Sequence, residues 1–583
     1  MTASEPADLH LHLRRLLAAA AGAASDAELQ AIQLSPPKNR AHGDAAFGTF
    51  ALAKLRGVAP PQLAANLAAA ARPDEVGESV TAAGPFVNAR FRRSALARHV
   101  VLGVLRGDAP FARAASSGKS IVIDFSSPNI AKPFHMGHLR STVIGAAIGR
   151  IWRHLGAEVH GINHLGDWGM PFAKMMTAWM HWGDQKELEK SPMRHMFELY
   201  KLYSSKAKEN PALDDEAAAH IRALESGADN EERRMWQFLR DESLAAFQGP
   251  YDRLGVTFDH ITGESFFEDK MEAAMARVAA AGVLEVDDGA EVVKLDSLGI
   301  KVPCILRKSD GTTLYHTRDL AAAFWREAQY HPDRILYVVG AEQKLHFEQL
   351  AAVLARMGEP LAKKVEHVPF GLILAKNEET GKWEKFASRG GNAIFLDEVL
   401  DEAVANVRRI ITEKNPELAD ADRVAEQVGV SAIVFNDLKN SRIKDVKFDW
   451  EQMLNFDGET GPYVQFAAAR LSGILRKSDV ALDAGAELAA DLDGALLADA
   501  EDVLLTMLDF GATLERAAEQ SEPSIVTGFA IQLAGSIHAY LREHHVLRAE
   551  PALRDARLAL VAAARRLLHT SLGLLGVAAP DEM

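Results

Sequence analysis

A chain of 583 residues is too long for one hydrophobic core, and a prior of roughly 100–200 residues per domain suggests three or four domains. With 48% apolar and 25% charged residues, and no uninterrupted apolar run of about 18, the composition argues against a membrane span and against extended disorder. The net charge of −15 disfavours a nucleic-acid partner for the chain as a whole, but acidic residues gather in segments such as 214–232 and 491–509, which can be solvated faces remote from any binding groove.

The first residues, MTASEPADLHLHLRR, carry acidic side chains and no basic patch followed by an apolar stretch, unlike a secretory leader. An alanine- and leucine-rich helical stretch, a loop at 35–43 and an alternating run at 84–91 predict a small α+β domain over 1–97. From residue 120 the pattern changes. An apolar strand at 121–125, a helix from about 135 to 154 and a second strand at 158–163 form a βαβ unit, and further apolar runs at 334–340 and 367–374 extend it into a doubly wound parallel sheet of Rossmann type over 98–445. Residues 184–265 interrupt it with charged, helix-favouring sequence that shows no strand signal, which predicts an inserted helical subdomain. The single cysteine, Cys304, can form neither an internal disulfide nor a multi-cysteine zinc site, and it fits a reducing compartment. After about 445 the β signal disappears. Leu553, Leu560, Leu567 and Leu574 recur at helical spacing, so 446–583 reads as an all-α bundle whose last helix is punctuated by Gly573, Gly576 and Pro580.

The chemistry concentrates in the stretch DFSSPNIAKPFHMGHLRST, 124–142, where a strand's carboxyl end runs into a helix. Ligands bind where such strands end. His135 and His138 lie three apart at a helix N-terminus whose free N–H groups favour phosphate, and Gly137 between them lets a nucleotide approach the backbone. Two imidazoles there can donate to a phosphate chain. Taken alone, the pair is also compatible with a capped helix start or with two metal ligands lacking a third.

The whole stretch resembles the first signature of class I aminoacyl-tRNA synthetases in its arginine-specific form. The resemblance continues through Gly166-Asp-Trp-Gly169, Leu314-Tyr-His-Thr-Arg-Asp319, Gly340-Ala-Glu-Gln343, Phe456-Asp-Gly-Glu-Thr-Gly-Pro-Tyr463 and Leu572-Gly-Leu-Leu-Gly576, and so covers nearly the whole chain. It implies a ligase that activates arginine with ATP, as the magnesium complex, and transfers it to the 3′ end of tRNA(Arg). It also implies a cytoplasmic monomer with no membrane attachment and no metal of its own. The second signature of the class, a lysine-bearing loop, corresponds to Lys385-Phe-Ala-Ser-Arg389, with Ser388 where a second lysine usually stands. Arginine-specific members lacking that lysine resemble one another in carrying one just before the His-x-Gly-His motif, where this chain has Lys132. Lys132, His135, Gly137, His138 and Lys385 are therefore expected around ATP, with Arg389 as a further catalytic group.

An arginine site needs carboxylates, because a guanidinium is planar, always charged and best read by a bidentate acceptor. Asp124 and Asp319 are the candidates, with Tyr315 one helical turn before Asp319 to cover the aliphatic stem, and with Asn129 and Gln343 at the backbone end, as the resemblance implies. It further assigns Phe86 and Asn88 to the tRNA D-loop, with Ala83 departing from a polar residue seen in some relatives. Tyr463, Phe466 and Tyr540, with Arg470 and Arg542 nearby, offer stacking platforms and cations for splayed anticodon bases, or else pack between helices.

Overall fold

The computed structural model describes residues 9–583 apart from 24, 36, 38, 108–115, 131, 133, 226–228, 378–379, 386–394, 484, 486–487, 489 and 491. Its centre is a five-stranded parallel sheet with the spatial order Val365–His367, Arg334–Tyr337, Ser120–Asp124, Glu158–Leu165, His260–Gly263. Winding reverses at Ser120–Asp124, which has the next strand of the chain on one side and a much later one on the other, and such a reversal opens a crevice at the strands' carboxyl ends. Ile121, Val122 and Ile123 are β-branched and fully buried, as a strand covered by helices on both faces requires. The helix Met136–His154 follows and lies close on the strand that precedes it: a Cβ added at Gly145 would sit 2.3 Å from that of Phe125.

The sequence reading and the fold differ at several places. The segment 184–265 contains the helices Gln185–Lys190, Pro192–Glu209, Ala212–Glu225 and Glu231–Leu254, whose Leu188, Met196, Leu199 and Leu239 share a core with Leu165, Trp168 and Met176 of the catalytic fold. Its last residues, however, include His260–Gly263, the edge strand of the catalytic sheet, which is too short and too polar to show an alternating pattern. The run 367–374 is likewise not one strand. Pro369 has no N–H to give a ladder, and the chain crosses there from Val365–His367 to Ile373–Lys376, which belongs to a second sheet with Trp383–Lys385 and Val446–Phe448. That last strand lies just beyond the point where β signal was expected to end. A three-stranded antiparallel sheet, Glu285–Asp287, Ala290–Val293 and Cys304–Arg307, had no counterpart in the sequence reading, and it buries Cys304.

The N-terminal region packs the helices Leu9–Ala21, Phe50–Arg56 and Pro60–Ala70 on a four-stranded antiparallel sheet containing Ala45–Gly48, Gly77–Ala83 and Phe86–Phe91. At the other end, Gly461–Lys477, Ser524–Glu543 and Pro551–Leu575 are the long helices of the bundle. Leu560, Leu567 and Leu574 are buried in its core, and Gly576, at φ 73°, ends the last helix, whereas Gly573 lies inside it. Ser524–Glu543 and Pro551–Leu575 are long and apolar enough to cross a membrane, yet their apolar faces are packed within the bundle. One continuous core joins the N-terminal region, Met136–His154 and the bundle. Across it, Arg140 of that helix pairs with Asp437 at 2.9 Å and donates to the Lys444 carbonyl at 2.8 Å, so the helix bearing the histidines is tied directly to the elements that lead into the bundle.

Candidate active site at the strand ends

The strand Ser120–Asp124 ends in a sharp turn that places two non-glycine residues, Ser126 (φ 71°) and Ser127 (φ 48°), in the left-handed region. The turn is held by side chains. Ser126 N–H donates to Ser141 Oγ at 2.9 Å and its hydroxyl meets Thr142 and the Tyr251 hydroxyl, each at 2.8 Å; Ser127 N–H donates to Asn163 Oδ1 at 3.1 Å. The buried carboxylate of Asp124 accepts from the Ser127 hydroxyl at 2.8 Å and from Arg326 Nη2 at 2.6 Å. Asp124 thus carries the chain's own guanidinium on one oxygen and the Ser127 hydroxyl on the other.

His135 caps the helix Met136–His154. Its Nδ1 accepts the Gly137 N–H at 2.9 Å and its carbonyl accepts the His138 N–H at 2.8 Å, while its own N–H donates to His138 Nδ1 at 3.2 Å. The first-turn donors expected to meet phosphate are partly used in this way. Gly137 serves His135 first, because a Cβ there would sit 2.6 Å from the imidazole. With both Nδ1 atoms accepting, this hydrogen-bond network assigns the ring proton of each histidine to Nε2, leaving two outward donors. Both rings are held neutral. Burial, aided by His135 and Lys132, pushes His138 down to about 3, and burial with Lys385 and Lys132 lowers His135. The charges of both Lys385 and Lys132 thus reach the His135 ring, and that of Lys132 reaches His138 as well. Lys132 lies with its Nζ 5.4 Å from the centre of the Tyr200 ring, contributed by the helical insertion, and burial lowers its own pKa. Ser388 and Arg389 lie outside the described residues.

Beside the lysine, a pocket is lined by Asn129, Lys132, Gly166, Trp168, Tyr200, Glu264 and Tyr315. Tyr315 stands at its lip, 56% exposed, on the first turn of Tyr315–Tyr330; Asp319 follows one turn later, and its Oδ2 accepts from His346 Nε2. Burial opposes the Asp319 charge, but the His346 bond together with the charges of His346, His164 and Arg326 more than offsets it and holds the carboxyl below its ordinary range. Gln343 is exposed at the start of Lys344–Arg356. Sequence reasoning missed Glu264, whose Oε2 is buried with no hydrogen-bond partner among the described residues; burial pushes this carboxyl up to about 8 against the opposing pull of Arg318. It also assigned no role to Trp168, whose buried indole N–H likewise lacks a partner there. The signal for Glu264 is its place immediately after a catalytic-sheet strand, and that strand was not recognised. No group of three or more His, Cys, Asp or Glu side chains arranged to hold a metal occurs among the described residues.

The chain matches three family models: the catalytic domain of class I tRNA synthetases (R) over 101–450, the DALR anticodon binding domain over 464–583, and the arginyl-tRNA synthetase N-terminal domain over 11–91. It is 44% identical over 555 residues to the arginine–tRNA ligase of an Exiguobacterium species and 43% identical over 553 residues to that of Streptococcus mutans, covering 94% of this chain and 95% of the relative in both cases. The chain belongs to the class I arginyl-tRNA synthetases. A solved arginyl-tRNA synthetase from Thermus thermophilus has the same architecture, with a TM-score of 0.84 at 27% identity over 99% of this chain and 100% of that one.

Elsewhere in this synthetase the structure sorts the remaining positions by exposure. Phe86 is 41% exposed and meets the still more open Phe50 edge to face, their centroids 5.7 Å apart. Asn88, two residues further along the strand, is buried between two neighbouring strands, so its side chain is not presented for reading a base edge. Tyr463 and Phe466 share one face of Gly461–Lys477, both next to His538, with Phe466 44% exposed. Tyr540 belongs to the core instead: it is 7% exposed, its hydroxyl donates to Asp499 at 3.2 Å, and its ring stacks on His544. A residue facing into a bundle must bury its hydroxyl with a partner, and Asp499 is that partner.

Proposed function

We propose that the crevice activates arginine with ATP and transfers it to tRNA(Arg), with the residues divided by charge. His135 and His138 offer Nε2–H donors to the phosphate chain, and Lys132 and Lys385 add the positive charge that builds on the departing pyrophosphate. Asp319 and Glu264 take the guanidinium, Tyr315 covers the stem, and Asn129 and Gln343 hold the amino-acid end, with Asp124 fixed by Arg326 as part of the frame. The observation that carries this reading is the juxtaposition, at one strand end, of the His135–His138 pair and Lys132 with a pocket lined by Glu264, whose buried Oε2 has no hydrogen-bond partner among the described residues. We assign 1–97 to the tRNA elbow, 98–445 to catalysis and 446–583 to the anticodon. Pyrophosphate exchange with each of the twenty amino acids, with and without total tRNA, tests it: arginine alone should support exchange, and Asp319→Asn should raise the arginine KM.

Glu264 gives this reading a pH signature. Its carboxyl is buried, and this burial, with the charges of Asp319, Asp167 and Glu268 and against that of Arg318, keeps its proton up to about 8. Guanidinium binding needs the carboxylate, so arginine binding releases a proton, and the arginine KM should fall as pH rises from 6 to 8.5, by up to about tenfold per unit below the pKa. Glu264→Gln should flatten that profile. For stability the sign is opposite: the folded state binds the extra proton between the ordinary carboxylate range and about 8, so this group's contribution declines as pH rises through that window.

In the bundle, Phe466→Ala should weaken tRNA binding roughly 5- to 150-fold, from about 1–3 kcal/mol of stacking, at a nearly constant Tm. Tyr540→Ala should do the reverse, lowering Tm by the equivalent of about 3–5 kcal/mol. Thermal melting alongside tRNA affinity separates the two.

A further inference from the structure

We propose that Asp167 is a positioning residue for arginine: it clamps both neighbours of Glu264 and so aims that carboxylate into the amino-acid pocket. The proposal rests on the reading of Glu264 as a guanidinium acceptor.

Asp167 has no path to substrate, since its side chain is wholly buried, 0% exposed. Its oxygens are spent on one target. Oδ1 accepts the Ser265 N–H at 2.9 Å and Oδ2 accepts the Ser265 hydroxyl at 2.7 Å, with Arg240 Nε further off at 3.4 Å. On the other side of Glu264, the same carboxylate lies against Gly263, where a Cβ would fall 2.3 Å from Oδ2 and 2.4 Å from Cγ, so only glycine admits it. Gly263 is extended, at φ −162° and ψ 174°. It ends the strand His260–Gly263 and caps the 3-10 helix Glu264–Lys270, so the two contacts fix the strand-to-helix junction at which Glu264 reaches the pocket lined by Asn129, Trp168 and Tyr315.

The chemistry of the clamp calls for a carboxylate. Both Ser265 groups arrive as donors, and an ionised carboxylate is acceptor-only, so it receives both without a choice of rotamer; an amide has one oxygen and would oppose one of them. The same segment fixes the far wall of the pocket. Gly166 exchanges backbone bonds with Pro128 and Ile130, each at 3.1 Å, and a Cβ at Gly166 would lie 2.1 Å from Asn129 Oδ1. Trp236 Nε1 donates to the Asp167 carbonyl at 2.8 Å and braces the segment from the insertion. Residues 166 and 167 therefore set the spacing between Asn129, at the amino-acid end, and Glu264, at the guanidinium end.

The test is a mutant cycle on the full-length enzyme, reading the arginine KM, the ATP KM, kcat and Tm in tRNA-supported pyrophosphate exchange. Asp167→Asn and Ser265→Ala should each raise the arginine KM about tenfold, the low end of what orienting partners of ligand side chains carry. The ATP KM and kcat should stay within about twofold, and on a Glu264→Gln background the same changes should add less than about twofold. Ser265→Ala removes one bond without disturbing the buried charge, so it remains informative if Asp167→Asn folds poorly. The proposal is overturned if Ser265→Ala leaves the arginine KM unchanged, or if either change multiplies it equally with and without Glu264. Failure of the underlying reading looks different: Glu264→Gln alone would then leave the arginine KM where it was.

Discussion

His138→Ala should lower the rate of arginine-dependent pyrophosphate exchange by about 10²–10³ while leaving the ATP KM nearly unchanged. The reason lies in how the ring is held. The His135 N–H occupies its Nδ1 and burial keeps it neutral, so it meets ATP as a fixed Nε2–H donor without a net charge to attract the ground-state polyphosphate. Such a donor contributes most where charge increases, on the oxygens around the α-phosphorus as pyrophosphate leaves. Lys132→Ala should act in the same sense, and Ser388→Lys should recover part of that loss if the two positions serve the same phosphate. Steady-state exchange at varied ATP decides the matter: a rise in ATP KM with unchanged turnover would make these residues binding groups only.

The strand at 121–125 and the helix from about 135 were legible because a buried parallel strand and a long helix write strong local patterns, and the structure places them at Ser120–Asp124 and Met136–His154. What the sequence could not show depends on partners far along the chain. His260–Gly263 is a strand only because Glu158–Leu165 pairs with it, and the break at Pro369 follows from a second sheet completed by Val446–Phe448. The site divides in the same way. The motif histidines stand together, ring centroids 4.1 Å apart, but that Gly137 makes room for the capping imidazole is a matter of backbone geometry that no spacing reveals. The pairing of Asp124 with Arg326 was hidden because the two lie 202 residues apart. Glu264 was invisible for the reason its strand was, and Asn88 and Tyr540 carry the residue types of a nucleic-acid contact at positions the fold has turned inward.

Removing the partner of Asp124 should cost the fold more than any surface change in this chain. Arg326 is 1% exposed and Asp124 5%, the two meet at 2.6 Å, and Nε and Nη1 of Arg326 have no other hydrogen-bond partner among the described residues. Burial works against the guanidinium's charge, and Asp124, with Tyr337 and Asp319 nearby, more than offsets it, so that the pKa is raised. In Arg326→Met the aliphatic volume is kept but a buried carboxylate loses its counter-charge, a change that costs about 3–5 kcal/mol. The loss should appear as a large fall in Tm and in resistance to denaturant. Part of it should reach the site, because Asp124 also accepts from Ser127 and so helps to hold the left-handed turn that leads to Asn129. A second substitution separates charge from packing: Asp124→Asn on the Arg326→Met background removes the stranded charge and should recover most of the stability. If the double variant melts no higher than Arg326→Met alone, the ion pair is not what Arg326 contributes, and its packing against the Tyr337 ring, 5.2 Å from the guanidinium, carries the effect instead.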